Sequence, residues 1–191
     1  MQYIIKHYDI TKNNDCRFTL GTEGIKTLFV IGLNPSTAND KKADLTITKI
    51  MGFAEQNNFD SFIMLNLYPE RTAHPNKLQL QLDDKLHKEN IEHIVRILSS
   101  KNKATILAAW GEKIHLRQYL SGCLNDIYKF ANKYDSVWLK IGNLTKSGHP
   151  RHPSRVSYSC ELTSFDITNY INLLTDKNAS RQQRQHMHKD G

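Results

Sequence analysis

The chain has 191 residues, of which 39% are hydrophobic and 24% are charged, as is ordinary for a soluble globular protein. The sequence contains no run of about 18 apolar residues and no long apolar segment near residue 1, so we expect a cytoplasmic protein without a membrane span. The formal net charge of +7 favours a polyanionic partner, such as nucleic acid or a nucleotide, without establishing one.

The first predicted element is an edge hairpin. Residues 3–8 and 17–20 have the composition of two short strands around a polar turn. The next segment, Thr27–Ile31, is entirely apolar or β-branched and ends at Gly32, which is typical of a strand buried on both faces. Asp44 is then expected to cap a helix, because apolar residues recur at helical spacing after it.

Strand-like and helix-like segments alternate through the rest of the chain. The further strands are predicted at Phe62–Leu65, Thr105–Ala109 and Val137–Ile141, and the further helices at about 82–99, 116–131 and 165–174. This alternation predicts right-handed crossovers. We therefore expect one α/β domain over residues 1–177, with three α/β/α layers, a central and mainly parallel four-stranded sheet, and the edge hairpin. The polar residues 178–191 are expected to form a disordered tail.

Polar motifs follow each of the four predicted core strands. They are Gly32–Thr37, Leu65–Tyr68, Trp110–Gly111 and Gly148–Ser154. In an open α/β sheet, ligands bind outside the carboxyl ends of the strands, so these motifs are expected to form one pocket.

The first two motifs each contain an asparagine at a strand end. Asn34 can hold a water or a sugar oxygen, or it can simply close a turn before Pro35. Asn66 can meet the edge of a base with paired donor and acceptor contacts, or it can form a turn. Tyr68 can stack on a base or lie in the core. The predicted base-binding residues are Asn66, Tyr68 and Pro35, and Asn34 is the candidate for positioning a water.

The fourth motif contains two His-Pro pairs, at His149 and His152. The prolines restrict the backbone, so each imidazole is presented with little freedom and is suited to stabilising negative charge on a departing base. A metal site is a weaker alternative, since no Asp, Glu or Cys at ligand spacing completes it, and a rigid surface turn is another. The candidate phosphate-binding residues are Arg71, Arg151, Ser154 and Arg155.

From Leu28 to about Ser157, the sequence resembles the bacterial and phage family catalogued as domain of unknown function 1643. The resemblance is carried by Leu33–Ala38, Asp44-x-Thr46-Ile47, Gly52–Ala54, Asn66-Leu67, Ala109–Gly111 and Leu144–Pro153. Leu45 departs from the pattern, because members usually have proline there. This family implies no established activity.

A more distant resemblance is to the uracil-DNA glycosylase superfamily. Gly32–Pro35 is similar to a Gly-x-Asn-Pro motif whose Asn positions a water, and Leu65-Asn66 to a strand end whose amide reads the base. Trp110-Gly111 is similar to a shared Trp-Gly, and His152–Ser154 to a His-Pro-Ser motif whose His stabilises the departing base. The departures are Ser36, where glycosylases usually have Gly or Tyr, and Arg155, where an apolar wedge is usual.

This resemblance implies hydrolysis of the N-glycosidic bond of a damaged or modified base in nucleic acid, without a metal or organic cofactor. Asn34 would hold the water, Asn66 would read the base, and His152 or His149 would stabilise the leaving group. Two alternatives stay open. One is a non-catalytic module that binds a modified base or nucleotide, and the other is an enzyme acting on free nucleosides or nucleotides.

Overall fold

The computed structural model describes residues 1–100 and 103–176. The strands are β1 (His7–Ile10), β2 (Arg17–Gly21), β3 (Thr27–Gly32), β4 (Ser61–Asn66), β5 (Thr105–Ala108), β6 (Val137–Ile141) and β7 (Leu162–Ser164). The α-helices are α1 (Leu45–Gln56), α2 (Asp84–Ser99), α3 (Tyr119–Asn132) and α4, over residues 167–176. The predicted tail over 178–191 lies outside the described residues.

The strands form one sheet in the order β1-β2-β4-β3-β5-β6-β7. The four central strands, β4, β3, β5 and β6, are parallel, as expected for strands joined by helices. The outer strands β1, β2 and β7 pair antiparallel. The α/β class and the parallel centre are therefore confirmed, whereas the predicted four-stranded sheet is too small. The hairpin is also confirmed, although β1 begins at His7 rather than at Tyr3, and β2 joins the sheet directly through β4.

The two faces of the sheet are covered by different helices. Alternate residues of β3, such as Leu28 and Val30, pack against α1 residues such as Ile50. The intervening residues, such as Phe29, lie in a second core with side chains of α2, α3 and α4. Because both faces are covered, every residue of β3 is buried, and its apolar run is explained.

The start of α1 fixes the loop that precedes it. The Asp44 carboxylate accepts a hydrogen bond from the Ile47 N–H at 3.0 Å, which is the predicted helix cap. Its other oxygen accepts from the Ala38 N–H at 3.4 Å. Asp44 thus joins the helix to the loop after β3. In the described part of the chain, no helix has the length and apolar character needed to cross a membrane.

Candidate functional site

A cavity of about 670 Å³ lies at the carboxyl ends of the parallel strands. Strands β3 and β5 are neighbours, but the helices that follow them, α1 and α3, cover opposite faces of the sheet. The loops leaving these two strands therefore diverge, which opens the crevice where ligands bind in such sheets. The volume lies within the range of small-ligand sites, about 300–1,000 Å³.

Three of the four predicted motifs line this cavity. Asn34 and Ser36 contribute from the first, Trp110 and Gly111 from the third, and the segment containing His152 from the fourth. The loop after β4 contributes through Thr72, Ala73 and Pro75 rather than through Leu65–Tyr68. The predicted convergence of strand ends is therefore found for three motifs and not for the second.

His152 offers the cavity a hydrogen-bond donor. Its Nδ1 lies 2.8 Å from the Ser154 hydroxyl oxygen and accepts the Ser154 backbone N–H at 3.4 Å. A ring nitrogen that accepts from an N–H carries no proton, so the proton of the neutral imidazole is on Nε2. Burial, and then the charge of Arg155, lowers the pKa of His152, while Asp44 opposes the shift. The ring is therefore held neutral, with Nε2–H available to a ligand.

The backbone of Gly111 packs directly against His152. Gly111 has a φ of +70°, and a Cβ built on it would lie 3.1 Å from the Cβ of His152. Only glycine meets both requirements without strain, namely the left-handed backbone and the close approach. Trp110 itself is buried in the core. Gly111 therefore allows the chain leaving β5 to pack closely against the loop that carries His152.

His149 lies behind the cavity wall in a chain of hydrogen bonds. Trp110 Nε1 donates to the Tyr170 hydroxyl at 3.0 Å, and that hydroxyl lies 2.8 Å from His149 Nδ1. The hydroxyl already accepts from Trp110, so its own proton goes to His149 Nδ1, which acts as the acceptor. The other ring nitrogen of His149, Nε2, lies 3.0 Å from His115 Nε2. His149 is only 2% exposed, so the structure places His152 rather than His149 at the cavity.

Asn34 joins two loops and leaves one acceptor. Its Nδ2 donates to the backbone oxygens of Pro35 and Thr72, both at 2.9 Å, and more weakly to Glu70 at 3.4 Å. These contacts tie the loop after β3 to the loop after β4. In residues 1–100 and 103–176, no group donates a hydrogen bond to Oδ1. Asn34 therefore closes a turn, as one of its two interpretations predicts, and it keeps an oxygen that can accept a hydrogen bond from a ligand.

Charged side chains around the cavity are mostly cationic. The lining contains one carboxylate, Glu112, and four cationic side chains, Lys113, Lys146, Arg151 and Arg155. The predicted phosphate contacts Arg151, Ser154 and Arg155 are all among the lining residues. Sequence reasoning missed the two lysines. The excess of positive charge favours an anionic ligand.

Glu112 is a further lining residue that sequence reasoning missed. The Ser147 hydroxyl donates to its Oε1 at 2.9 Å. Hydrogen bonds from the side chains of Thr145 and Ser147 lower the pKa of this carboxyl group, so it is ionised at neutral pH. The sequence signal that could have identified it is its position directly after the Trp110-Gly111 motif. The cavity therefore combines a neutral donor, an acceptor, a carboxylate and several cations.

Four of the residues predicted to contact a ligand do not line this cavity. Tyr68 is a fully buried core residue whose hydroxyl accepts from the Asp83 N–H at 3.3 Å. Pro35 is buried, and its oxygen accepts from the Thr72 N–H. Arg71 donates to the Ala38 backbone oxygen at 3.0 Å. Asn66 is 0% exposed and paired in register with Gly32, where a Cβ would lie 2.9 Å from its Oδ1.

The segments that carry the strand-end motifs fall within one family. A sequence model of the family described as "Protein of unknown function (DUF1643)" matches residues 17–154. The chain belongs to this family. The matched part of this DUF1643 protein runs from β2 to Ser154, so it includes Asn34, Gly111 and His152 but ends just before Arg155. No curated protein and no solved structure gives a significant match.

The described part of this DUF1643 protein contains no cluster of potential metal ligands. Among residues 1–100 and 103–176, no three or more His, Cys, Asp or Glu side chains lie close enough together to hold an ion. Two histidine rings do meet, at His115 and His149, but they bond to each other through Nε2 atoms.

Proposed function

We propose that this cavity binds one nucleotide unit of a nucleic acid and hydrolyses its N-glycosidic bond. The supporting observation is the neutral His152 ring, which Ser154 orients so that Nε2–H remains for a ligand in a cavity bordered by cations. The distant resemblance to uracil-DNA glycosylases supports the same reaction, because the matching histidine there stabilises the departing base.

The chemistry follows from the charges that develop during the reaction. When the bond between C1′ and the base nitrogen breaks, the electron pair leaves with the base, and the His152 Nε2–H can stabilise that negative charge. A water attacks C1′ while donating a hydrogen bond to Asn34 Oδ1, and the proton released ends on the base. The ionised Glu112 is suited to oppose the positive charge that develops on the sugar, as carboxylates do in other glycoside hydrolyses.

Single-stranded nucleic acid is the expected substrate. A base must leave the helical stack to enter such a cavity, and this step costs least in a single strand. The residue after Ser154 is the exposed Arg155, a cation suited to a phosphate rather than to insertion between bases. We therefore expect tighter binding of single-stranded than of double-stranded DNA.

The position of Asn66 favours a second candidate function. Its amide lies outside the cavity, so the group that would read the base in the proposed glycosylase is not presented to a ligand. This supports a protein that binds a nucleotide without hydrolysing it, or an enzyme that acts on free nucleotides.

The test uses the full chain and oligonucleotides that carry uracil, hypoxanthine or a hypermodified pyrimidine. After incubation, hot alkali cleaves the strand wherever a base has been removed. We expect cleavage with the wild type, loss of cleavage in His152→Ala, and unchanged cleavage in His74→Ala, an exposed histidine outside the cavity lining. Binding without cleavage would support the non-catalytic binding protein. Turnover of mononucleotides alone would support the enzyme that acts on free nucleotides.

A further inference from the structure

Two arginines converge behind the wall of the cavity. Arg17 Nη1 and Arg71 Nη2 both donate to the backbone oxygen of Ala38, at 2.8 and 3.0 Å. Arg17 is 2% exposed and lies at the start of β2, whereas Arg71 is half-buried and lies in the loop after β4. One neutral carbonyl oxygen thus accepts from two positive guanidinium groups.

Within the described residues, neither arginine is in direct contact with a carboxylate. Asp44 is the nearby carboxylate whose charge acts on Arg17, but its oxygens accept from Ile47 and Ala38 N–H groups. Burial, and then the charge of Arg71, lowers the pKa of Arg17 to about 10. Buried charges in proteins are ordinarily paired, because an unpaired one is costly.

Further donors around the pair are unused. Arg17 Nε and Arg71 Nη1 are buried, and within the described residues neither has a hydrogen-bond acceptor. Two guanidinium groups with free N–H groups form a fork that matches the geometry of phosphate oxygens. The charge and the donor geometry therefore indicate the same kind of ligand.

We propose that Arg17 and Arg71 form a binding site for a phosphate-like oxyanion, one oxygen of which takes the position that the Ala38 carbonyl oxygen has in this structure. For the anion to enter, the Ala38 peptide must rotate or move away. Such a site is separate from the proposed chemistry at His152 and does not depend on it.

The site lies next to the main cavity. Ser36 and Thr72 line the cavity, and Ala38 and Arg71 lie close to them in the same two loops. The loops are joined there by the Thr72 N–H, which donates to Pro35 O at 2.9 Å, and by the Asn34 side chain. Opening this connection would join the arginine pair to the cavity. A second phosphate of a bound nucleic acid strand, or a free phosphate, is the ligand chemistry expected.

The experiment titrates the full chain with sodium phosphate at constant ionic strength, with sodium chloride as the balance, and follows thermal unfolding. We expect a saturable rise of Tm in the wild type. In Arg71→Gln the apparent phosphate affinity should fall at least about tenfold, the effect of losing one hydrogen bond to a charged group. Arg71→Lys keeps the charge but not the forked N–H geometry, so its apparent phosphate affinity should lie between those of the wild type and Arg71→Gln. Arg96→Gln is the matched control, because Arg96 is an exposed arginine on α2 that pairs with Asp9 and does not line the cavity, so the phosphate effect should stay intact.

Hydrogen exchange provides a second measurement. The Asn39 N–H donates to Lys42 O at 3.0 Å, so displacement of Ala38 should change amide exchange over residues 36–42 when phosphate binds. We expect this change in the wild type and not in Arg71→Gln. Repeating both experiments with deoxyuridine 5′-monophosphate and with a single-stranded oligonucleotide distinguishes free phosphate from a nucleic acid phosphate. The proposal is overturned if phosphate has no saturable effect on the wild type, if Arg71→Gln responds as the wild type does, or if Arg96→Gln loses the effect as fully as Arg71→Gln.

Discussion

Replacement of Gly111 by alanine tests how closely the fold and the site are coupled. The glycine has a φ of +70°, and the added Cβ would lie 3.1 Å from the Cβ of His152 and 3.7 Å from its backbone nitrogen. The substitution therefore introduces backbone strain and also pushes on the histidine that offers the donor.

The two effects have different sizes and different readouts. A non-glycine residue in the left-handed region costs about 1–2 kcal/mol. The contact at 3.1 Å adds to this cost, because His152 must shift by a few tenths of an ångström. We expect the free energy of unfolding to fall by about 2 kcal/mol in total, which for a chain of this size lowers Tm by about 4–8 °C.

The matched control is Gly148→Ala. Gly148 has a φ of +83°, but a Cβ built there meets nothing within 4 Å. Both variants gain the same small benefit from a less flexible unfolded chain, so that effect cancels in the comparison. Urea unfolding gives the free energies, and ¹⁵N NMR of the imidazoles reports whether Nδ1 of His152 is still an acceptor. Equal losses of stability in the two variants, together with an unchanged His152 ring in Gly111→Ala, would show that Gly111 and His152 are not coupled.

Three further predictions concern the same region. In the folded protein the pKa of His152 lies below the unfolded value of 6.5, so near that pH the unfolded chain binds more protons than the folded one. The stability that the neutral ring contributes is therefore present above pH 6.5, and it is lost as the pH falls toward the folded pKa. In His152→Gln, urea unfolding from pH 7.5 to 5 should show a shallower decline, and an identical pH profile would contradict the assignment. Tyr170→Phe should lower the free energy of unfolding by about 1–3 kcal/mol, because its hydroxyl is the partner of Trp110 Nε1 and His149 Nδ1. The control is Tyr128→Phe, which should cost far less, because the Tyr128 hydroxyl is exposed and contacts only Thr168 among the described residues. Equal costs would argue against the buried chain. Asp44→Ala should cost about 0.5–2 kcal/mol through loss of the α1 cap, and Asp44→Asn much less; a cost below that range in both would show that the cap is unimportant.

Periodicity accounts for the parts of the fold that could be predicted. The buried run of β3 and the helical spacing after Asp44 both reflect burial against a partner layer, and sequence shows such burial directly. The strand β7 could not be found in this way. It is three residues long, and none of them is fully buried, so it leaves no apolar run.

The site was harder to predict, because its geometry depends on tertiary contacts. His149 and His152 occupy equivalent His-Pro pairs, and they are distinguished by tertiary contacts, such as that of His149 with the buried Tyr170 on α4. Asn66 ends a strand as expected, but the direction of a side chain at a strand end depends on what packs there, in this case Gly32. The pairing of Arg17 with Arg71 could not be predicted either, since nothing local to β2 shows that Ala38 lies within reach of it.

The most direct test of the account observes the ring nitrogens of both histidines while a single-stranded, deoxyuridine-containing oligonucleotide is added to ¹⁵N-labelled protein. We expect a saturable shift of the His152 Nε2–H resonance, with His149 unchanged because its ring is bonded within the core. A shift confined to His149, or binding of the oligonucleotide with no change at His152, would contradict the central claim that His152 presents a hydrogen-bond donor to an anionic ligand.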